Sequence, residues 1–165
     1  MKRISIGNDA GLGLDKVATA LGVTVLHVDD DPNDTMLMRA ASRKAGVHFE
    51  LVNVEHADEA MEYLEHRGKY SDRSRFRMPV LVLLDLKMPR RTGLEILKWI
   101  RAHTTHKHLP VVILSGSESQ EDIRQAYTAG ANSYLVKPLG FEDLVGIVKS
   151  INAVWIQSNQ GPALA

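Results

Sequence analysis

Apolar residues along the chain fall into two kinds of segment that alternate. Short continuous runs, rich in β-branched residues, occupy positions 23–28, 49–54, 80–84, 111–114 and 133–136. Each is short enough to be a strand and has little internal polar alternation. Between them, apolar positions recur at three- and four-residue spacing. The first such stretch starts at Asn33 or Asp34 as a cap, runs through Ala45 and is closed by Gly46. Ala57, Ala60, Met61 and Leu64 mark a second, and Leu94, Leu97 and Ile100 a third. Residues 121–129, closed by Gly130, form a fourth. In the fifth, Phe141, Leu144, Val145, Val148, Ile151 and Trp155 share one face. Gly just past a periodic stretch and Pro or Asp at its start are helix boundaries. Continuous apolar strands between amphipathic helices predict a parallel sheet covered on both faces. The predicted class is therefore α/β, a doubly wound sheet of five parallel strands with five helices.

Residues 22–157 carry this pattern. Residues 1–21, broken by Gly7, Gly11 and Gly13, read as an N-terminal extension: a mobile lead-in, or an arm that binds a partner or caps a dimer. Residues 158–165 read as a C-terminal tail. The stretch from 67 to 78 holds Arg67, Lys69, Arg73, Arg75 and Arg77 against Asp72 alone, and is expected to be a solvated loop. A length of 165 residues suits one domain. Lys plus Arg and Asp plus Glu both number 20, so the formal charge is zero, which argues against a generic nucleic-acid binder. The absence of cysteine excludes disulfides, thiol catalysis and Cys-ligated zinc. No signal-peptide pattern opens the chain, and no apolar run approaches the roughly 18 residues of a membrane helix. A soluble, cytoplasmic protein is expected.

In an open parallel sheet the reactive groups collect at the carboxyl ends of the strands. Asp29, Asp30 and Asp31 end the first predicted strand, Asp85 the third, Ser115 the fourth and Lys137 the fifth. Carboxylates gathered at one edge repel and raise one another's pKa. A hard divalent cation relieves that repulsion, and carboxylate, carbonyl and water oxygens are the ligands Mg2+ prefers. Lysine offers a compact positive charge to a phosphoryl group, and a serine hydroxyl can donate to it. The set suits phosphoryl transfer onto an aspartate.

Four segments carry a resemblance to a known family: Val28-Asp29-Asp30, Leu84-Asp85-Leu86-Lys87-Met88-Pro89, Leu114-Ser115-Gly116 and Tyr134-Leu135-Val136-Lys137-Pro138. In this order, at the predicted strand ends, they resemble the receiver domain of two-component response regulators, a flavodoxin-like fold, over residues 22–157. The resemblance implies Asp85 as phosphoacceptor, with Asp30 and Asp85 binding Mg2+ directly, Asp29 assisting through water, and the Lys87 backbone carbonyl completing the protein ligands. It implies Ser115 on a phosphoryl oxygen, Lys137 paired with Asp85 and then with the phosphoryl group, and Tyr134 as an aromatic switch that turns inward. It also implies a cis Lys137–Pro138 bond. Lys87 and Ser117 fall where receivers tune loss of the phosphoryl group, and Lys87 is expected to shield it from water.

Val-Asp-Asp-Asp-Pro-Asn-Asp at 28–34, the basic insert, Ile-Arg-Gln-Ala-Tyr at 123–127 and Trp155 resemble the single-domain regulators of phytochrome-type histidine kinases. That resemblance implies such a kinase as partner, a homodimer, and slow self-dephosphorylation, which is only marginally an enzyme activity. No output domain is read after the fifth helix, so the signal is expected to pass by protein contact or by relay to a histidine phosphotransfer protein, without nucleic acid or membrane. Simpler readings stand beside these. In the simpler readings, Asp31 is only a cap or turn residue, His27 a hydrogen-bonded core histidine, and His103, His106 and His108 a polar helix end rather than a metal site. Two rival functions remain: a receiver-like docking module independent of phosphorylation, and a phosphatase with an aspartate nucleophile, given the Asp-x-Asp spacing at Asp29 and Asp31.

Overall fold

A computed structural model describes residues 22–47 and 49–160. The predicted N-terminal extension lies outside the described residues, as does most of the predicted tail. Strands β1 (Thr24–Val28), β2 (Glu50–Val54), β3 (Leu81–Leu84), β4 (Val111–Ser115) and β5 (Ser133–Val136) alternate with helices α1 (Pro32–Ala45), α2 (Ala57–Leu64), α3 (Gly93–Ala102), α4 (Gln120–Thr128) and α5 (Phe141–Ile151). All neighbouring strands pair in parallel, in the order β2-β1-β3-β4-β5. The first crossover, β1 to β2, runs one way and the later ones run the other, so the ends of β1 and β3 open at the point of reversal.

The central strands β1, β3 and β4 are buried on both faces, and the edge strands β2 and β5 are partly open. One face places Leu26, Val28, Val82, Leu84, Val111 and Ile113 against Ala60, Leu64, Ile96, Ile100 and Ala126 of α2, α3 and α4. The alternate strand residues, Val25, Leu81, Leu83, Val112 and Leu114, meet Met38 and Ala41 of α1 and Val145, Val148 and Ile151 of α5. The period-two alternation of side chains thus sorts each strand between two cores. The predicted apolar face of the last helix continues to Trp155, which packs on the second core from a π-helical segment, Asn152–Ser158.

Local chemistry sets the helix ends. Asp31, not Asn33 or Asp34, caps α1: its carboxylate accepts from the Asn33 amide at 2.8 Å, with Pro32 in the first turn. Proline suits that turn because its fixed φ is helical and its missing N–H needs no partner, so the cap falls just before it. Gly46 ends α1 at φ 63°, a left-handed conformation that glycine adopts freely. Thr92 and Glu95 form a reciprocal capping box that starts α3. Arg101, near the end of α3, donates to the carbonyls of Gly130 and Leu109, each at 2.8 Å, and to Asn132 Oδ1 at 2.7 Å. It joins the helix to the entry of β4 and β5.

Three expectations change. The basic stretch is not a free loop. Its arginines are exposed, but Tyr70 is buried, and its ring lies 4.9 Å from Tyr63 and 5.0 Å from Phe76. The Tyr63 hydroxyl donates to the Arg77 carbonyl at 2.8 Å. Aromatic contacts of this kind anchor a segment whose charged residues alone would leave it solvated. At the end of α3, His103 and His106 stack with centroids 4.3 Å apart beside Trp99, and His106 is buried, while His108 is exposed. The Lys137–Pro138 bond, expected cis, is trans, the isomer generally favoured for X–Pro bonds. Among the described residues, no helix is long and apolar enough to cross a membrane.

Candidate functional site

β1 and β3 lie side by side in register, Val28 opposite Leu84, so the residues that follow them emerge together. Asp29 is fully buried, Asp85 nearly so, and Asp30 half-buried. One carboxylate oxygen from each of the three lies within 4.8 Å of the others, close enough to share a cation. Among the described residues this is the only such group of His, Asp and Glu. The donor set is all oxygen, which fits a hard divalent ion.

β5 delivers Lys137 to the same edge, where the Lys137 amide donates to the Ser115 carbonyl at 2.9 Å. The ammonium donates to Asp29 at 2.8 Å, to Asp85 at 3.0 Å and to Asp34 at 2.7 Å. Burial works against its charge, but the hydrogen bonds and charges of these carboxylates outweigh it and raise the Lys137 pKa. At Asp29, burial pushes the carboxyl up, against the opposing Lys137 hydrogen bond. A buried anion with a raised pKa gains from added positive charge, so the site fits a metal ion on its own electrostatics.

His27 lies beneath, inside β1. The Asn53 amide donates to its Nδ1 at 2.6 Å, which puts the single imidazole proton on Nε2, 3.6 Å from Asp29. Burial, then the charges of Lys137 and Arg39, push its pKa down to about 3. It is therefore a neutral, hydrogen-bonded core histidine, and its approach to Asp29 is a polar contact rather than an ion pair.

The predicted hydroxyl and switch residues occupy the β4–α4 side. Ser115 is fully buried, and its Oγ accepts from the Ser117 amide at 3.4 Å. The half-buried Tyr134 donates its hydroxyl to the Ser117 carbonyl at 2.8 Å. The Ser117 hydroxyl donates to Asp122, whose carboxylate also lies 3.4 Å from Lys87 Nζ. The Lys87 amide, meanwhile, donates to Asp85 Oδ1 at 3.2 Å.

Asp31 is the α1 cap, as its simpler reading held, and its own amide donates to Asp29 Oδ1 at 2.9 Å. Sequence reasoning passed over three residues of this site. Asp34, a candidate cap by its position, instead holds Lys137. Asp122 was given no role, yet it joins Lys87 to Ser117. Gly93 carries no site expectation, yet a Cβ there would come within 2.1 Å of the Asp85 carbonyl oxygen. Only the Asp31-Pro32 pair hinted at any of this, by placing the helix start before Asp34.

Residues 25–149 match the response regulator receiver domain family. The chain is 37% identical to the probable methanogenesis regulatory protein FilR2 of Methanothrix harundinacea, over 86% of this chain and 88% of that one. It is 31% identical to response regulator Rcp1 of Synechocystis, over 84% and 92%. Among solved structures it resembles RPA3017, a response regulator in red light signalling of R. palustris, with TM-score 0.81 and 33% identity over 86% of this chain and 99% of that one. The phosphorylated cyanobacterial phytochrome response regulator RcpA superposes with TM-score 0.77 at 34% identity, again over 86% and 99%. The Mn2+-bound form of Rcp1 gives 0.74 at 30%, with the same coverage. Fold, strand-end chemistry and these relatives agree: the chain belongs to the response regulator receiver domain family and is homologous to response regulator Rcp1 and to the phytochrome response regulator RcpA.

Proposed function

We propose that the protein is a single-domain response regulator that takes a phosphoryl group from a histidine kinase of phytochrome type onto Asp85. The observation that carries this reading is the meeting of Asp29, Asp30 and Asp85 within 4.8 Å, with the Lys137 ammonium 3.0 Å from Asp85. An Asp85 oxygen attacks phosphorus, the P–N bond of the phosphohistidine breaks, and the imidazole leaves with the electron pair. Asp85 is left as an acyl phosphate, which water later hydrolyses. Lys137 orients the carboxylate beforehand and pairs with the phosphoryl oxygens afterwards. Asp30 and Asp85 would bind Mg2+ directly, Asp29 through water, and the Lys87 backbone carbonyl would complete the protein ligands. Bound there, the ion would neutralise charge on the phosphoryl oxygens. The Mn2+-bound form of Rcp1 supports binding of a divalent ion.

Ser115 donates its hydroxyl to a phosphoryl oxygen and draws the β4–α4 segment toward Asp85. Tyr134, tethered to the Ser117 carbonyl of that same segment, follows inward as the switch. The altered surface then acts by protein contact in the cytoplasm, as a homodimer or by relay to a histidine phosphotransfer protein, without nucleic acid.

Intact-mass measurement after incubation with acetyl phosphate, with and without Mg2+, tests this for wild type and Asp85→Asn. The expected result is one Mg2+-dependent phosphoryl adduct, absent in the variant. A folded wild type that takes no adduct would favour a docking module. Catalytic phosphate release that survives Asp85→Asn would point to an aspartate phosphatase.

A further inference from the structure

An ammonium has three N–H bonds to give, and Lys137 gives all three to carboxylates. The bonds to Asp34 and Asp29 measure 2.7 and 2.8 Å, and the bond to Asp85 is the longest at 3.0 Å. Asp29 and Asp85 belong to the phosphotransfer site already described. Asp34 does not: it sits in the first turn of α1, partly open to solvent. Because Asp31 and Pro32 have already started the helix, the Asp34 carboxylate is not spent on capping. It holds instead a lysine 103 residues away in sequence.

We propose that Asp34 is a positioning residue for phosphotransfer that acts through Lys137, drawing the ammonium toward α1 and restraining the rate at which Asp85 is phosphorylated. It does so, given Asp85 as the phosphoacceptor, by competition for a donor. Negative charge develops on the phosphoryl oxygens beside Asp85 during transfer, and one N–H of Lys137 must turn to meet it. Charge-assisted hydrogen bonds are the strong ones, so an anion that already holds that ammonium at 2.7 Å opposes the turn. The asparagine amide keeps the shape and a carbonyl acceptor but not the charge, so Asp34→Asn leaves Lys137 anchored to Asp29 and freer to serve the acceptor. Glutamate keeps the charge.

The test is the rate constant for phosphorylation by acetyl phosphate at saturating Mg2+, followed by intact mass. Asp34→Asn is expected to react about fivefold faster than wild type, the scale of one ordinary net hydrogen bond, because the amide carbonyl keeps part of the contact. Asp34→Glu is expected to stay within about twofold, and Asp34→Ser serves as a second neutral variant should Asp34→Asn fold poorly. In a Lys137→Met background, Asp34→Asn is expected to change nothing. A neutral variant no faster than wild type overturns the proposal. So does an equal gain in the Lys137→Met background, which would mean simple repulsion of the anionic donor. A second readout needs no chemistry: the Lys137 15Nζ resonance of the metal-free protein is expected to move in Asp34→Asn, and an unmoved resonance also refutes the contact. Absence of any adduct on wild type would instead overturn Asp85 as phosphoacceptor, and the role of Asp34 with it.

Discussion

Replacing His27 by Gln is expected to remove most of the acid sensitivity that one buried histidine gives this fold. In the native protein His27 is 1% exposed, and its pKa is pushed down to about 3 by burial and by the charges of Lys137 and Arg39. In the unfolded chain it titrates near 6.5. Between those values the unfolded chain carries a proton that the native state does not, so stability rises with pH across the window. It is complete above about pH 6.5 and is lost as the pH falls toward the native value. The loss grows at about 1.4 kcal/mol per pH unit, reaching about 2 kcal/mol at pH 5. Down to pH 5 that figure depends on the unfolded pKa alone, provided the native value lies well below the pH. Asp29 works in the opposite sense, because burial raises its carboxyl pKa and the native state takes up that proton first. Asp29 is present in both proteins, so the comparison isolates the histidine. Urea titrations near pH 7.5 and pH 5 give the two stabilities. Wild type is expected to lose about 2 kcal/mol more than His27→Gln on acidification, whatever their stabilities at neutral pH. Equal losses would refute the assignment of a buried neutral imidazole.

Gly93→Ala is expected to destabilise the protein by about 1–3 kcal/mol, the usual scale for overpacking, and to slow phosphorylation. The new Cβ would meet the Asp85 carbonyl oxygen at 2.1 Å and the Leu86 Cα at 2.9 Å, backbone atoms that cannot swing aside. Urea midpoints and the acetyl phosphate assay check both effects, and an unchanged midpoint would show that the loop relaxes freely. Lys87→Asn is expected to shorten the lifetime of the phosphoryl group several-fold, because the Lys87 ammonium, 3.4 Å from Asp122 at the rim of the site, screens it from water. Decay of the adduct mass after removal of the phosphodonor measures this, and an unaltered half-life would exclude shielding by Lys87.

The class of fold, the alternation of elements and the residues at the strand ends are legible along the chain. Those are local properties. The period of apolar positions separates strand from helix, and the residue that follows a strand is the residue at its end, as with Asp85 after Leu84. The bounds of β5, 133–136, could be read directly, because a β-branched and aromatic run there is closed sharply by Lys137-Pro138. The remaining features depend on contacts that arise only in the folded chain. The order β2-β1-β3-β4-β5 sets β1 beside β3, and only then do Asp29, Asp30 and Asp85 share one site. Tyr70 and Phe76 turn a basic, seemingly solvated stretch into an anchored one by packing on Tyr63, a contact with no periodicity to announce it. Gly93 is required because the loop after β3 folds back and brings the Asp85 and Leu86 backbone against the start of α3, which no periodicity encodes. Asp34 looked like one more acidic residue at a helix start. It became a partner of Lys137 only because β5 is threaded to that edge of the sheet, bringing an ammonium within 2.7 Å of it. Local periodicity is written along the chain, whereas the pairing of charges from different strands exists only once the sheet has placed them side by side.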